Sequence, residues 1–196
     1  MPQGPEKTKT MKRLFDLLLS LLAAMIFALP VLWVALAVRL TSLGPVLYWS
    51  DRVGRNNQIF KMPKFRSMQT GTPAVATHLL NNPNAYLTPV GGFLRKSSLD
   101  ELPQLWSIIK GDMSFVGPRP ALFNQEDLIA LRTRAGVHQL VPGLTGWAQI
   151  NGRDELPIAQ KVALDVEYLH RRSFFFDIKI IFLTAFRVLR ADNVTH

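Results

Sequence analysis

The sequence predicts a mainly α fold with short β segments: one apolar helix long enough to reach into a bilayer, then one compact domain with amphipathic helices. Three observations predict it. The apolar residues are concentrated in an uncharged run, Leu17 to Val38. The later segments space their apolar residues at helical rather than alternating intervals. The chain of 196 residues is 48% hydrophobic, has no cysteine and carries a net charge of +9. That composition excludes disorder, because so much apolar surface offsets the entropy of ordering. The missing cysteine excludes a disulfide scaffold and any Cys-based zinc site. The length suits one domain plus an anchor, divided at 1–40 and 41–196.

The first element is the run from Leu17 to Val38. As a helix it is about 33 Å long, enough to cross a hydrocarbon core of about 30 Å. Pro30 lies past its middle, removes a helical hydrogen bond and predicts a bend near Ala28–Leu29. Lys7, Lys9, Lys12 and Arg13 precede the run, and Arg39, Arg52 and Arg55 follow it. Basic groups on both sides fit a segment that returns to the face it entered. The residues leave three readings open: an ordinary span, a re-entrant hairpin, and a signal peptide cleaved near Ala35-Leu36-Ala37.

Residues 41–70 read as a loop with short strands, punctuated by Gly44-Pro45, Gly54 and Pro63. Residues 71–90, rich in Gly, Pro and Asn, read as a surface excursion with a short helix. A helix is expected over Gly91–Ile109, with Leu102, Leu105, Trp106 and Ile109 on one face, ended by Gly111. Residues 121–135 read as a further helix and Pro142–Arg153 as a glycine-rich loop. Pro157–Arg172 reads as a helix with proline at its start, and Phe174–Leu189 as a final apolar helix. No internal repeat or long linker interrupts this order.

Acidic residues are scarce, so adjacent pairs are informative. Glu126-Asp127 and Asp154-Glu155 flank expected helices and read as solvated or dipole-complementing charges. Asp100-Glu101 follows Arg95-Lys96. A helix start beside cations makes an anion site, where a carboxylate is expected to have a low pKa and stay ionised. Ser98-Leu99-Asp100-Glu101 also fits a capping box, although Pro103 sits beyond the usual first-turn slot. In Gly117-Pro118-Arg119-Pro120 the prolines restrict Arg119, which suits bidentate phosphate recognition or a plain surface turn. Lys64 and Arg66 in KFRSM read as phosphate ligands or as a solvated strand face. The four histidines show no metal spacing.

These residues carry a resemblance. Ser98–Pro120, SLDELPQLWSIIKGDMSFVGPRP, is similar to the signature of the monotopic phosphoglycosyl transferases, bacterial sugar transferases that start glycan assembly on a lipid carrier. Four further blocks agree in order: DRVGR (Asp51–Arg55), KFRSM (Lys64–Met68), PGLTGWAQINGR (Pro142–Arg153) and DVEYLHRRSFFFDIKIIFLT (Asp165–Thr184). The resemblance runs from about residue 11 to the C-terminus, with a length like that of the minimal members.

The resemblance implies transfer of a sugar-1-phosphate from a UDP-sugar to polyprenol phosphate, giving polyprenyl-diphospho-sugar and UMP. It implies Asp100 as nucleophile through a phospho-aspartyl intermediate, and Glu101 as the ligand of a Mg²⁺ ion. Lys64, Arg66, Arg95, Pro118, Arg119 and Asp165 are implied around the phosphates and nucleotide. It implies a re-entrant helix broken at Pro30, membrane lipids as partners, and a monotopic place on the cytoplasmic face of the bacterial inner membrane. The final helix is expected on the membrane surface. Family members often place Ser before the proline; here Leu29 stands there, and Ser20 is too far back to replace it. The sequence does not name the sugar, and an N-acetylated or 6-deoxy amino sugar is the expectation. Two other classes fit the charge and the anchor alone. A nucleic-acid binder is opposed by the absence of any recognised module. A non-catalytic scaffold is opposed by the Asp-Glu pair beside basic residues.

Overall fold

In the computed structural model, which describes residues 6–75, 80–152 and 156–190, the uncharged run forms two helices. Helix α1 (Glu6–Ile26) and helix α2 (Ala28–Thr41) meet at Phe27 with a bend of 62°. Pro30 has no N–H for the carbonyl of Ile26, and its ring crowds that carbonyl. The break therefore falls at Phe27, just ahead of the expected Ala28–Leu29. The chain stays hydrogen-bonded through the corner, Phe27 N–H to the Ala23 carbonyl at 2.9 Å and Val31 N–H to the Phe27 carbonyl at 2.8 Å. Ser20 bonds only within its own helix, to the Leu17 carbonyl. No single described helix is long and apolar enough to cross a membrane, while the bent pair taken together is.

Helix α1 is polar inside and apolar outside. Asp16 and Ser20 are buried against the rest of the protein, whereas Leu14, Leu18, Leu21, Leu22 and Met25 are exposed. Leu29, Leu32, Trp33, Leu36 and Leu40 of α2 are exposed as well. A soluble helix shows the reverse arrangement.

Strands β1 (Leu47–Val53) and β2 (Ile59–Phe65) form an antiparallel hairpin, with Leu47 opposite Phe65 and Val53 opposite Ile59. The strands are longer than the segments expected. Pro63 is tolerated because each strand of a two-stranded sheet has an open edge. A short 3-10 turn at Pro83–Tyr86 matches the small helix expected in the excursion; residues 76–79 of that segment lie outside the described residues.

The helix expected over Gly91–Ile109 is three pieces: α3 (Gly91–Lys96), a 3-10 turn at Leu99–Glu101, and α4 (Gln104–Lys110). Ser98 takes a left-handed conformation, φ 57°, which ends α3, and Pro103 starts the chain again in a new phase. The buried face therefore turns. Leu105 and Ile108 are buried, while Trp106 is exposed. Gly111, φ 102°, ends α4 as expected.

The Pro142–Arg153 segment is also more regular than a loop. Strand β4 (Gly143–Thr145) pairs in parallel with β3 (Ser114–Val116), and α6 (Trp147–Ile150) follows. The pairing requires glycine: a Cβ on Gly143 would stand 2.1 Å from the nitrogen of Gly117. Arg153 and the pair Asp154-Glu155 lie outside the described residues. Helix α5 (Glu126–Arg134) carries Glu126 and Asp127 in its first turn, where acids complement the dipole. Helices α7 (Ile158–Arg171) and α8 (Phe174–Arg190) complete the order, both close to expectation.

The core lies in four patches. Val116, Val137, Leu140, Ile150, Tyr168, Phe176 and Ile180 join β3 to α7 and α8. Ala121, Leu128 and Val162 join the segment after β3 to α5 and α7. Val34 and Val38 of α2 pack with Phe65, Leu94, Leu99 and Leu102. Ala23 and Ala24 of α1 pack beside Met62, Leu105, Ile108 and Met113. The last two patches seat the bent pair directly on the segment that carries Asp100.

Candidate active site

Asp100 sits in the 3-10 turn between α3 and α4, almost fully buried, and its Oδ1 has no hydrogen-bond partner. Glu101, the next residue, points its Oε1 at two cations. Lys64 Nζ of β2 donates to it at 2.7 Å, and Arg119 Nη2 from the turn after β3 donates at 3.0 Å. The capping box is not formed, since Ser98 makes no side-chain cap and Glu101 is occupied elsewhere. The cations beside the pair come from a strand, a turn and the end of α3, not from a long helix start.

A cavity of about 530 Å³ opens at this pair. Its walls include Lys64, Arg66, Arg95, Asp100 and Arg119. Five of the residues read from the sequence are therefore brought together from β2, the residue that follows it, α3, the 3-10 turn and the Pro-rich turn. Arg66 is buried, donates to Thr70 Oγ1 at 3.3 Å, and has an Nε without a partner. The cavity wall also contains Gln125, Arg132, Gln149 and Lys161, which sequence reasoning did not single out, and Arg52, which it read only as a basic flank of the apolar run and part of DRVGR.

The two carboxylates differ in charge state. Burial pushes the Asp100 carboxyl up to about 6, against the pull of Lys64 and with a further push from Glu101. The low pKa expected there is thus reversed, because the desolvation of Asp100 outweighs its cations. Burial acts on Glu101 too, but Lys64 and Arg119, by charge and by hydrogen bond, hold it well below the usual carboxylate range. Neighbouring acids with pKa values driven apart are a recurrent feature of active sites.

Asp165 and Pro118 stand behind the cavity rather than on its wall. Asp165 of α7 is buried and accepts from Arg132 Nε at 2.9 Å and Nη2 at 2.7 Å. Burial raises its pKa despite that partner. Arg132 Nη1 in turn donates to the Arg119 carbonyl at 2.8 Å. The carbonyl of Pro118 accepts the Gly143 N–H at 2.9 Å, tying the Pro-rich turn to β4. The signal for Arg132 was present: it lies four residues after the buried Leu128 on α5, a cation on an apolar face.

The donor set fits a Mg²⁺ ion held mainly by phosphate oxygens and water. Such sites use one or two carboxylates, and Asp100-Glu101 supplies two with one buried oxygen unpartnered. No group of three or more ligating side chains occurs among the described residues.

A family model described as bacterial sugar transferase matches residues 7–191. The chain belongs to that family. This bacterial sugar transferase is 41% identical to an undecaprenyl-phosphate glucose phosphotransferase of Komagataeibacter xylinus, over 93% of its own length and 36% of that protein. It is 39% identical to an uncharacterised sugar transferase, EpsL, of Bacillus subtilis, over 94% of its length and 90% of that protein. It is 37% identical to an undecaprenyl-phosphate galactose phosphotransferase of Salmonella typhimurium, over 95% of its length and 42% of that protein. The chain thus spans well under half of two of these relatives and nearly all of the third.

Proposed function

We propose that this bacterial sugar transferase moves a sugar-1-phosphate from a UDP-sugar to undecaprenyl phosphate. The observation that carries the reading is the buried Asp100, with Glu101 beside it, on the wall of a cavity shared with Lys64, Arg66, Arg95 and Arg119. Asp100 attacks the sugar-proximal phosphorus; a new Asp–phosphorus bond forms and the anhydride bond to UMP breaks. UMP leaves with the bonding electron pair. An oxygen of the lipid phosphate then attacks the same phosphorus, and the aspartyl bond breaks to restore the carboxylate. One anhydride replaces another, so no other energy source is required.

The chain's own residues supply charge and position. Lys64, Arg66, Arg95 and Arg119 balance the diphosphate and the charge that shifts to UMP. Glu101 stays ionised and holds Lys64 and Arg119 in place. Mg²⁺, when bound at Glu101, supplies further neutralisation of the diphosphate. Asp165 acts through Arg132 on the Arg119 backbone instead of touching substrate.

The bent pair serves as a re-entrant anchor on the cytoplasmic face of the bacterial inner membrane, residues 1–40 forming the anchor and 41–196 the catalytic domain. Support comes from the exposed apolar sides of α1 and α2. Phe175, Phe182 and Phe186 of α8 are exposed too, which suits a helix lying at the interface. Relatives named for glucose and galactose favour a plain UDP-hexose over the amino sugar expected from the resemblance.

The test is release of UMP and appearance of lipid-extractable label from a panel of labelled UDP-sugars, with undecaprenyl phosphate and Mg²⁺. UDP-glucose or UDP-galactose is expected to be used, and Asp100→Asn to stop both turnover and labelling of the protein. Turnover retained in pure Asp100→Asn protein would remove Asp100 from the mechanism.

A further inference from the structure

The polar contacts of α1 converge on one turn of the helix. Arg13 donates from Nη2 to the Ile109 carbonyl at 2.6 Å and from Nη1 to the Ile108 carbonyl at 2.5 Å, both near the end of α4. Its guanidinium lies against Gly111, the residue that ends α4. Lys12 Nζ reaches the Val116 carbonyl at 3.1 Å and Asp177 Oδ2 of α8 at 2.6 Å. Asp16 accepts the Phe115 N–H at 3.1 Å. A cation on the open carbonyls of a helix end satisfies groups that have no partner within the helix and complements the dipole.

The other arm of the bent pair grips the opposite end of the same segment. Val34 and Val38 of α2 pack in one patch with Leu99 and Leu102, on either side of Asp100-Glu101. Residues 99–110 are therefore held at one end by Arg13 and at the other by α2. The stretch from Arg13 to the Phe27 corner is about 21 Å of helix. Whatever depth the corner takes in a leaflet is passed to Asp100 through these two grips.

We propose that Arg13 is a positioning residue that fixes the height of Asp100 relative to the membrane surface, and so serves the lipid half of the reaction rather than the nucleotide half. This rests on the two-step transfer proposed above. The donor is soluble and meets Asp100 at any height. The acceptor phosphate is confined to the headgroup plane, so a displaced carboxylate meets it badly.

The experiment compares the two halves in full-length protein reconstituted in bilayers. Without acceptor, Arg13→Gln is expected to give the same single-equivalent UMP burst as the parent. With undecaprenyl phosphate, its steady-state transfer is expected to fall about tenfold. In detergent with a short, water-dispersed polyprenol phosphate the deficit should shrink to less than twofold. Arg13→Lys retains a donor for α4 and should restore most of the bilayer rate; it also provides the comparison if the Gln variant does not fold. Burst and transfer falling by the same factor, or a deficit that persists with the dispersed acceptor, would overturn the proposal. A parent protein that gives no UMP burst would instead overturn the two-step reading on which it stands.

Discussion

Arg132 grips Asp165 with two nitrogens on a single carboxylate oxygen, at 2.9 and 2.7 Å, and spends a third nitrogen on the Arg119 carbonyl at 2.8 Å. A buried acid on α7 thereby fixes the backbone of the cation that holds Glu101. Removing one partner of a buried ion pair leaves the other uncompensated, typically at about 3 kcal/mol or more. Asp165→Asn is therefore expected to lower the unfolding midpoint. It should also reduce kcat by roughly 10- to 100-fold through misplacement of Arg119. Arg132→Met made together with Asp165→Leu should be more stable than either single change, as thermal unfolding of the four proteins would show.

Asp100 is held at a cost to the fold. Burial lifts its pKa to about 6 in the folded protein, against 3.8 for an ordinary aspartate. The folded state thus binds the proton more tightly than the unfolded chain, and stability falls as pH rises from about 4 to about 6, staying low above that. Asp100→Asn should unfold at a higher temperature than the parent at pH 7.5, with the difference vanishing near pH 4. With Asp100 as the proposed nucleophile, kcat/KM should rise with pH through about 6 as that carboxyl ionises.

Lys64 pulls the Asp100 pKa down and also holds Glu101. Lys64→Met should displace the acidic limb of the pH profile above 6, because the opposing desolvation remains. A fall in kcat of about 100-fold at pH 7.5 is expected with it, the scale set by losing one charge-stabilising donor. A limb that moves to lower pH would contradict this electrostatic account.

A re-entrant anchor, as proposed above, requires that both outer ends of the bent pair lie on one side. Thr10→Cys and Thr41→Cys, both exposed positions in a chain without other cysteines, should react with an impermeant maleimide from the same face of sealed vesicles. Opposite-side labelling would restore an ordinary span. Ser50, despite its polar neighbours in sequence, is buried and bonded to Arg52, so it is no use as a reporter.

Much of the candidate site was readable because the chemistry proposed for it needs rare residues close together. Asp100, Glu101 and the cations at 64, 66, 95 and 119 are charged groups near glycine or proline, and the cavity gathers five of these six on its wall. What could not be read is phase and depth. Ser98 adopts a left-handed backbone that no periodicity announces, so the expected single helix breaks and its buried face shifts from Trp106 to Ile108. Desolvation is equally silent in the sequence: the neighbours of Asp100 suggested an easily ionised acid, while its burial makes it a reluctant one. Arg132 shares the buried face of α5 with Leu128, but only the fold places Asp165 opposite it.

The inward polar face of α1 also sets an order of assembly. The partners of Lys12, Arg13 and Asp16 lie 95 to 165 residues further along the chain, the farthest being Asp177. Contacts so distant in sequence close late and slowly. Until α8 has been synthesised, Lys12 of α1 lacks its carboxylate partner and keeps its charge hydrated. Helix α1 is thus locked only once α8 has formed, and a chain halted before Asp177 would leave the proposed height of Asp100 unset.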